Sequence, residues 1–443
     1  MTSSLLADMN QPSLPPDHPD REILAAEVHA RPPIPVEGPA RATYVAMLID
    51  PGQRAQESVH LRALCAHFGV SAPVDGATHF SGELRQGLRV KWERHGEFSG
   101  YTFYADGTGH EAGLTAVEDL PPGWLPALPG RTVAALCAVV WKQEIAAVPS
   151  PAELAGWFGD SAVAGSEVAE GAAFACTDFR TRADGFTRVV LLDRSLTPYQ
   201  TGRILQRLFE IEAYRMMALL ALPIARRQSP RILDIERSLA ALMDGIASGE
   251  HDAASDEALL QELTRLAAEI ESGLSASQFR FGACRAYADL VTRRIQELRE
   301  QRAPGLQTLE EFMSRRFRPA VATCQTVSQR LHDLSERVAQ ASGLLRTRVE
   351  IARERQNQQL LASMDRRARL QLRLQQTVEG LSVAAISYYV AGLVGYAAKG
   401  LQSAGLWELD PDIAVGVSVP VVALLFYLAM RRARRHMYKG TSD

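Results

Sequence analysis

GLSVAAISYYVAGLVGYAA, residues 380–398, contains no charged side chain, and neither does IAVGVSVPVVALLFYLAM, residues 413–430. Each approaches the ~20 residues with which a helix crosses ~30 Å of hydrocarbon. A buried helix of this length in a water-soluble protein ordinarily shows a polar stripe, and neither segment has one. The pair is expected to form a transmembrane hairpin, with helices over 377–400 and 413–430, a loop over 401–412 and a tail over 431–443. Its first expected partner is the lipid bilayer.

The flanks predict an orientation. Arg366, Arg367, Arg369 and Arg373 precede the first span, and Arg431, Arg432, Arg434, Arg435 and Lys439 follow the second. The loop carries Lys399 against Glu408, Asp410 and Asp412. Basic flanks stay in the cytoplasm, so both termini are expected inside a bacterial inner membrane, with the loop outside. On the first span Gly380, Ala384, Ser387, Ala391 and Gly395 fall within about 80° of one another at 100° per residue. Such a small-residue face serves close helix packing or, in an oligomer, lines a pore; both uses remain open. Pro420 is expected to kink the second span, as membrane helices tolerate.

Upstream, residues 196–376 predict a helical stalk. Thr197 followed by Pro198 marks a helix start, and Pro223 is expected to kink or end that helix. Further helices are expected near Pro230–Ile246 and over 256–302, with a turn at Pro304 and Gly305. Pro319 breaks the next helix or sits in its first turn. Val327, Leu331, Leu334, Val338, Ala341 and Leu345 keep the 4-3 spacing of a coiled-coil seam. A continuous helix from Ala320 to Gly400 would be roughly 120 Å long, and it must pack on helices of its own chain, on other subunits, or on both. A homo-oligomer is therefore expected. RERQNQQ, residues 353–359, interrupts the seam: it is either a solvated face or register lock, or part of a polar funnel.

Residues 18–195 mix short helices and strands. Strands are expected over 41–49, 79–84, 88–94, 98–104, 132–141, 172–179 and 186–192, and helices over 21–29, 57–68 and 152–158. Hairpins outnumber βαβ units, which points to a mainly antiparallel sheet. Residues 1–17, rich in proline and small polar residues, are expected to be disordered. The fold class is thus an α+β N-terminal domain with a mainly antiparallel sheet, a long helical, coiled-coil stalk and a two-helix C-terminal transmembrane hairpin.

The 443 residues are 47% hydrophobic and 22% charged, with a net charge of −3. Such a balance exerts no pull toward nucleic acid, so no nucleic-acid partner is expected. The five cysteines are scattered, which suggests free thiols rather than a disulfide framework or zinc site. Walker A, H-E-x-x-H and G-x-S-x-G patterns are absent. Gly107, Gly109 and Gly113 are spaced one residue too widely for a dinucleotide fingerprint and predict a turn. No catalytic residue, metal or cofactor is predicted. His95, Glu97, Asp178, Arg180, Asp184 and Arg188 fall on or beside predicted strands. They would gather into a ligand-binding polar cluster if those strands were neighbours, and into exposed cross-strand ion pairs otherwise. His29 and Arg31 are expected to fix a helix exit.

EVHARPP at 27–33, RHGEFSGYTF at 94–103, TDFRTRADGFTRVVLLDR at 177–194, EIEAYRMMALLALP at 210–223 and the segment at 363–389 resemble an uncharacterised bacterial membrane-anchored family, known as a domain of unknown function. The resemblance covers nearly the whole chain and implies a shared architecture but no activity. The layout is also similar to the CorA-type magnesium channels. There a Gly-Met-Asn motif closes the outer end of the first span; here Gly395-Tyr396-Ala397-Ala398-Lys399-Gly400 stands in its place, and a lysine at a pore mouth repels a divalent cation. Three functions stay in view: an oligomeric scaffold or sensor whose cytoplasmic domain binds a ligand or partner, a CorA-like ion channel, and a membrane-bound enzyme. The ligand or ion is left unspecified.

Overall fold

A computed structural model describes residues 15–22, 24–25, 32–107, 115–118, 120–143, 147–248, 253–405 and 410–439. Most of the N-terminal segment expected to be disordered lies outside them, as do His29, Arg31, Gly109, Gly113, Glu408 and part of the helix expected over 21–29. The chain divides into two compact units, residues 1–251 with 257–342 and residues 252–256 with 343–443.

The first unit is built on one nine-stranded sheet of order β2-β3-β4-β1-β5-β8-β7-β6-β9. The strands are β1 (Ala40–Leu48), β2 (His79–Arg85), β3 (Leu88–Arg94), β4 (Phe98–Asp106), β5 (Arg131–Lys142), β6 (Ala164–Val168), β7 (Ala173–Thr177), β8 (Thr187–Asp193) and β9 (Gln301–Arg302). Every neighbouring pair is antiparallel except β5 with β8. The mainly antiparallel sheet is therefore two antiparallel halves joined by one parallel pair. Two strands were not expected. β6 is AGSEV, too short and too rich in small residues to alternate clearly. β9 is a two-residue strand inside what reads as a helical region, and it forms only because β6 offers a free edge.

Alternation along the strands explains the layering. On one face Val45, Met47, Val90, Trp92, Tyr101 and Phe103 form a core with Leu61 and Leu64 of helix α1 (Arg54–His67) and with Trp124. Glu57 of α1 is completely buried there. Its carboxylate accepts from Trp92 Nε1 at 2.9 Å, Tyr101 OH at 3.2 Å and Arg54 Nη1 at 3.2 Å. These partners offset the cost of burying a charge. Helix α2 (Pro151–Phe158) covers Phe174, Cys176, Val190 and Leu192.

The opposite face carries Tyr44, Lys91, Glu93 and Tyr104 beneath helix α3 (Pro198–Leu219). Tyr44 stacks on Phe209 with ring centroids 5.4 Å apart. Thr197 and Gln200 cap α3 reciprocally, as do Ser150 with Glu153 at α2 and Thr308 with Glu311 at α6 (Leu309–Arg316). All three are Ser/Thr-x-x-Glu/Gln boxes, each satisfying two backbone donors that a helix start leaves unpaired.

Helix α3 ends at Leu219, and Pro223 lies in the first turn of α4 (Leu222–Ser248), where a missing N–H costs nothing. Pro230, expected at a helix start, instead lies inside α4. Helix α5 (Ala253–Leu298) follows, then α6 and α7 (Arg318–Ser403), with Pro319 in the first turn of α7. Val327, Leu331, Leu334, Val338 and Ala341 are buried. Their surroundings include the same chain: a Cβ at Gly273 would touch Leu331 at 3.6 Å, and Arg330 bonds Glu236 at 2.6 and 3.0 Å. The second unit holds the remainder of α7 and helix α8 (Pro411–Lys439), with Pro420 inside α8.

Gly202 lies where the segment before β1 crosses the start of α3. Val36 donates to the Pro198 carbonyl at 2.9 Å, and an added Cβ at Gly202 would come within 1.8 Å of Ile34 O. Because both atoms belong to ordered backbone, Gly202→Ala is expected to cost at least about 2 kcal/mol. A melting temperature equal to wild type for the purified variant would contradict this packing.

Candidate functional site

The topology separates the residues expected to cluster. β1 and β5 stand between the strands flanking His95 and Glu97 and those flanking Asp178, Arg180, Asp184 and Arg188. His95 stacks on Phe98 at 4.3 Å, and Glu97 accepts both guanidinium arms of Arg280, at 2.6 and 3.1 Å. Asp184 accepts from Phe186 N at 3.0 Å and Arg188 Nη2 at 3.1 Å. Partial burial works against the Asp184 carboxylate, but those two donors hold it below the ordinary range. The six residues do not meet in one pocket, because residues placed on strands by pattern alone carry no information on strand order.

Two polar sites border members of this set, His95 at one and Asp178 with Arg180 at the other, and volume decides between them. Beneath α3, Lys91 bonds Glu93 at 3.0 Å and Gln206 at 3.1 Å, Gln206 bonds Glu210 at 2.8 Å, and Arg294 pairs with Glu210. The free space among these groups is about 10 Å³, roughly one water. It is a closed, mutually satisfied network that glues helix to sheet.

The second site is an open cavity of about 480 Å³ at the end of β7, within the size range of small-molecule pockets. Asp178, Phe179 and Arg180 form one wall. Thr177 Oγ1 donates to Arg188 O at 2.7 Å and accepts from Phe179 N at 3.2 Å; Asp178 accepts from Arg180 N at 3.2 Å and Arg182 Nη2 at 3.0 Å. These bonds hold Phe179 in the left-handed region at φ 51°, which a bulky residue occupies only when its surroundings impose it.

Helix α3 supplies Arg215 and Leu219, α6 supplies Phe312, Met313 and Arg316, and the loop after α2 supplies Asp160 and Ser161. The Phe179 and Phe312 rings lie 4.8 Å apart. Arg215 sits over Phe179 at 5.6 Å and Arg316 over Phe312 at 5.3 Å, within the range of cation–π attraction. Glu212 neutralises Arg215 through contacts of 2.5 and 2.7 Å.

Glu300 fixes the start of α6. Its carboxylate accepts from Leu309 N at 2.9 Å, Glu310 N at 3.0 Å and Ser166 Oγ at 2.6 Å. Only Asp178 and Arg180 of this cavity were singled out by sequence. Arg215 lies in EIEAYRMM and Arg316 in a short amphipathic helix, and no spacing couples residues that far apart.

On the first apolar helix, a Cβ at Gly395 would lie 2.9 Å from Val415 Cγ2 of the second, and Ala391 is buried. Gly380 and Ala384 are exposed, and the hydroxyl of the half-buried Ser387 has no hydrogen-bond partner. The described residues hold no group of three or more His, Cys, Asp or Glu that could bind a metal.

A sheet-and-helix unit with an arginine–phenylalanine cavity, in one chain with two helices long and apolar enough to cross a membrane, defines the class of protein. The chain belongs to the family described as Protein of unknown function (DUF3422), whose profile matches residues 16–437. No curated protein and no solved structure matches it.

Burial raises the Glu300 carboxyl above its ordinary value of 4.5, although the hydrogen bonds it accepts from Ser166, Glu310 and Leu309 pull the other way. A raised carboxyl holds its proton more tightly when folded than when unfolded. Its stabilising contribution is therefore complete below the ordinary value and lost as pH rises through the raised one. Glu300→Gln, neutral at every pH, is expected to remove that share of the slope. Chemical denaturation at about pH 4, about pH 5 and about pH 7 measures it, and identical slopes for variant and wild type would refute the assignment.

Proposed function

We propose that this protein is an inner-membrane-anchored, homo-oligomeric scaffold or sensor, with both termini in the cytoplasm and a cytoplasmic unit that binds a ligand or partner. One observation carries the reading: among the described residues, most large apolar side chains of both spans are left exposed. Leu381, Leu393 and Leu425 are 75%, 68% and 61% exposed. At roughly 25 cal/mol per Å² of apolar surface, two such helices are intolerable in water and at home in lipid. The arginine-rich flanks and the acidic residues Asp410 and Asp412 between the spans favour cytoplasmic termini.

Self-association is supported by α7 between the first unit and the span. There Leu344, Ile351, Leu360, Leu361, Leu370 and Leu374 are all at least half exposed, and a second copy of the same helix would cover them. An anchor is favoured over a conduit by the close approach of Gly395 to Val415. That contact spends part of the small-residue face on packing inside the hairpin, and Lys399 stands where a cation pore would open.

Two measurements test the reading. The protein is expected to stay with membranes through alkaline carbonate, and Ser403→Cys is expected to react with an impermeant maleimide from the outer face; the five native thiols are buried and give little background. Release by carbonate, or labelling of position 403 only from the cytoplasmic side, would overturn the anchored topology. Light scattering in detergent is expected to give a mass of at least two chains, and a monomer would remove the oligomer.

A further inference from the structure

We propose that the cavity at the end of β7 binds a monoanionic organic acid, a carboxylate carried on an aromatic body, which deepens and rests on the ligand-binding reading above. Charge comes first. Among the described residues Arg180 and Arg316 have no carboxylate partner, and Asp160 has no cationic one. Arg215 is matched by Glu212, and Asp178 by Arg182. The cavity therefore keeps two free guanidinium groups against one free carboxylate, a surplus of one positive charge that a single carboxylate neutralises. Guanidinium forks suit that group in geometry as well as in charge.

The body of the ligand is set by the other wall. Phe179, Phe312, Met313 and Leu219 offer an apolar surface next to the cations, and a flat ring can extend the Phe179–Phe312 pair. The strained backbone at Phe179 supports this use. Four hydrogen bonds on Thr177 and Asp178 hold a phenylalanine in a conformation it resists, and the result is a ring presented at the cavity rather than packed in a core.

Asp160 then acts as a filter. A second negative charge on the ligand would meet an uncompensated carboxylate, so dianions such as phosphate monoesters are rejected by repulsion rather than by size.

Calorimetry on the purified full-length protein in detergent tests this with 1-naphthoate as probe. 1-Naphthalenemethanol serves as its neutral counterpart, acetate as the anion without a ring, and 1-naphthyl phosphate as the dianion. One naphthoate per chain is expected, with each of the other three at least about tenfold weaker. Arg180→Gln combined with Arg316→Gln is expected to weaken naphthoate at least about tenfold with a melting temperature close to wild type, since both side chains are exposed and lose only surface contacts, Arg316 over the Phe312 ring and Arg180 Nη1 to Ser161 Oγ at 3.5 Å. Asp160→Asn is expected to strengthen 1-naphthyl phosphate selectively.

No naphthoate binding, equal affinity for the alcohol, or binding indifferent to the double substitution would each overturn the proposal. Failure of the broader reading is separately visible. If the protein resists carbonate but naphthoate does not bind, the anchor stands and the ligand assignment falls; if carbonate releases it, the anchor falls whatever the calorimetry gives.

Discussion

A nine-stranded sheet with apolar side chains on both faces must be covered twice, and the placement of helix α3 on the second face organises the first unit. The stack of Tyr44 on Phe209 and the bond from Lys91 to Gln206 bind the helix to the strands. Glu210 then joins it to Arg294 of α5. A buried lysine and a buried glutamate on neighbouring positions of β3 would be costly if either stood alone. Here each meets a partner, so the polar chain sets the register of the helix on the sheet as well as its affinity for it. The closeness of α3 to the incoming segment at Gly202 follows from the same seating.

The cavity is a consequence of that placement. The beginning of α3 is locked by its capping box, and about five turns on, its end brings Arg215 over Phe179 in the turn that follows β7, with Leu219 beside it in the cavity wall. The facing wall, α6, is positioned by an unrelated device. The Glu300 carboxylate and the Thr308–Glu311 box satisfy the helix start, and the next turn presents Phe312 and Arg316. Three elements distant in sequence thus converge on a turn whose Phe179 is held against its own backbone preference.

In the second unit the governing quantity is apolar surface. Small residues at Ala391 and Gly395 let the two apolar helices approach, and the larger side chains, Leu381, Leu393 and Leu425 among them, face outward. That arrangement inverts the order of a soluble helical pair, in which large residues meet and small or polar ones face water. It agrees with an environment whose solvent is itself apolar.

Much of this was legible in the residues alone. The Thr197–Pro198 helix start, helical spacing and strand alternation located many of the helices and strands within a few residues, because each is a local pattern set by backbone sterics and hydrogen bonding. The apolar segments were legible for the same reason, since the absence of charge over a membrane thickness needs no partner to interpret. The strands β6 and β9 escaped because one is too small-residued to alternate and the other exists only by pairing.

Strand order, and with it the fate of the expected polar cluster, belonged to the tertiary structure. Asp178 and Arg180 lie at a cavity while His95 and Glu97 pair elsewhere because β1 and β5 intervene, and pairing between distant strands is decided by packing energy summed over the whole sheet. Arg215, Phe312 and Arg316 became one site by the same route. The sequence determined what each segment is, through interactions among near neighbours; only the folded chain decided which segments meet, through contacts that no local pattern encodes.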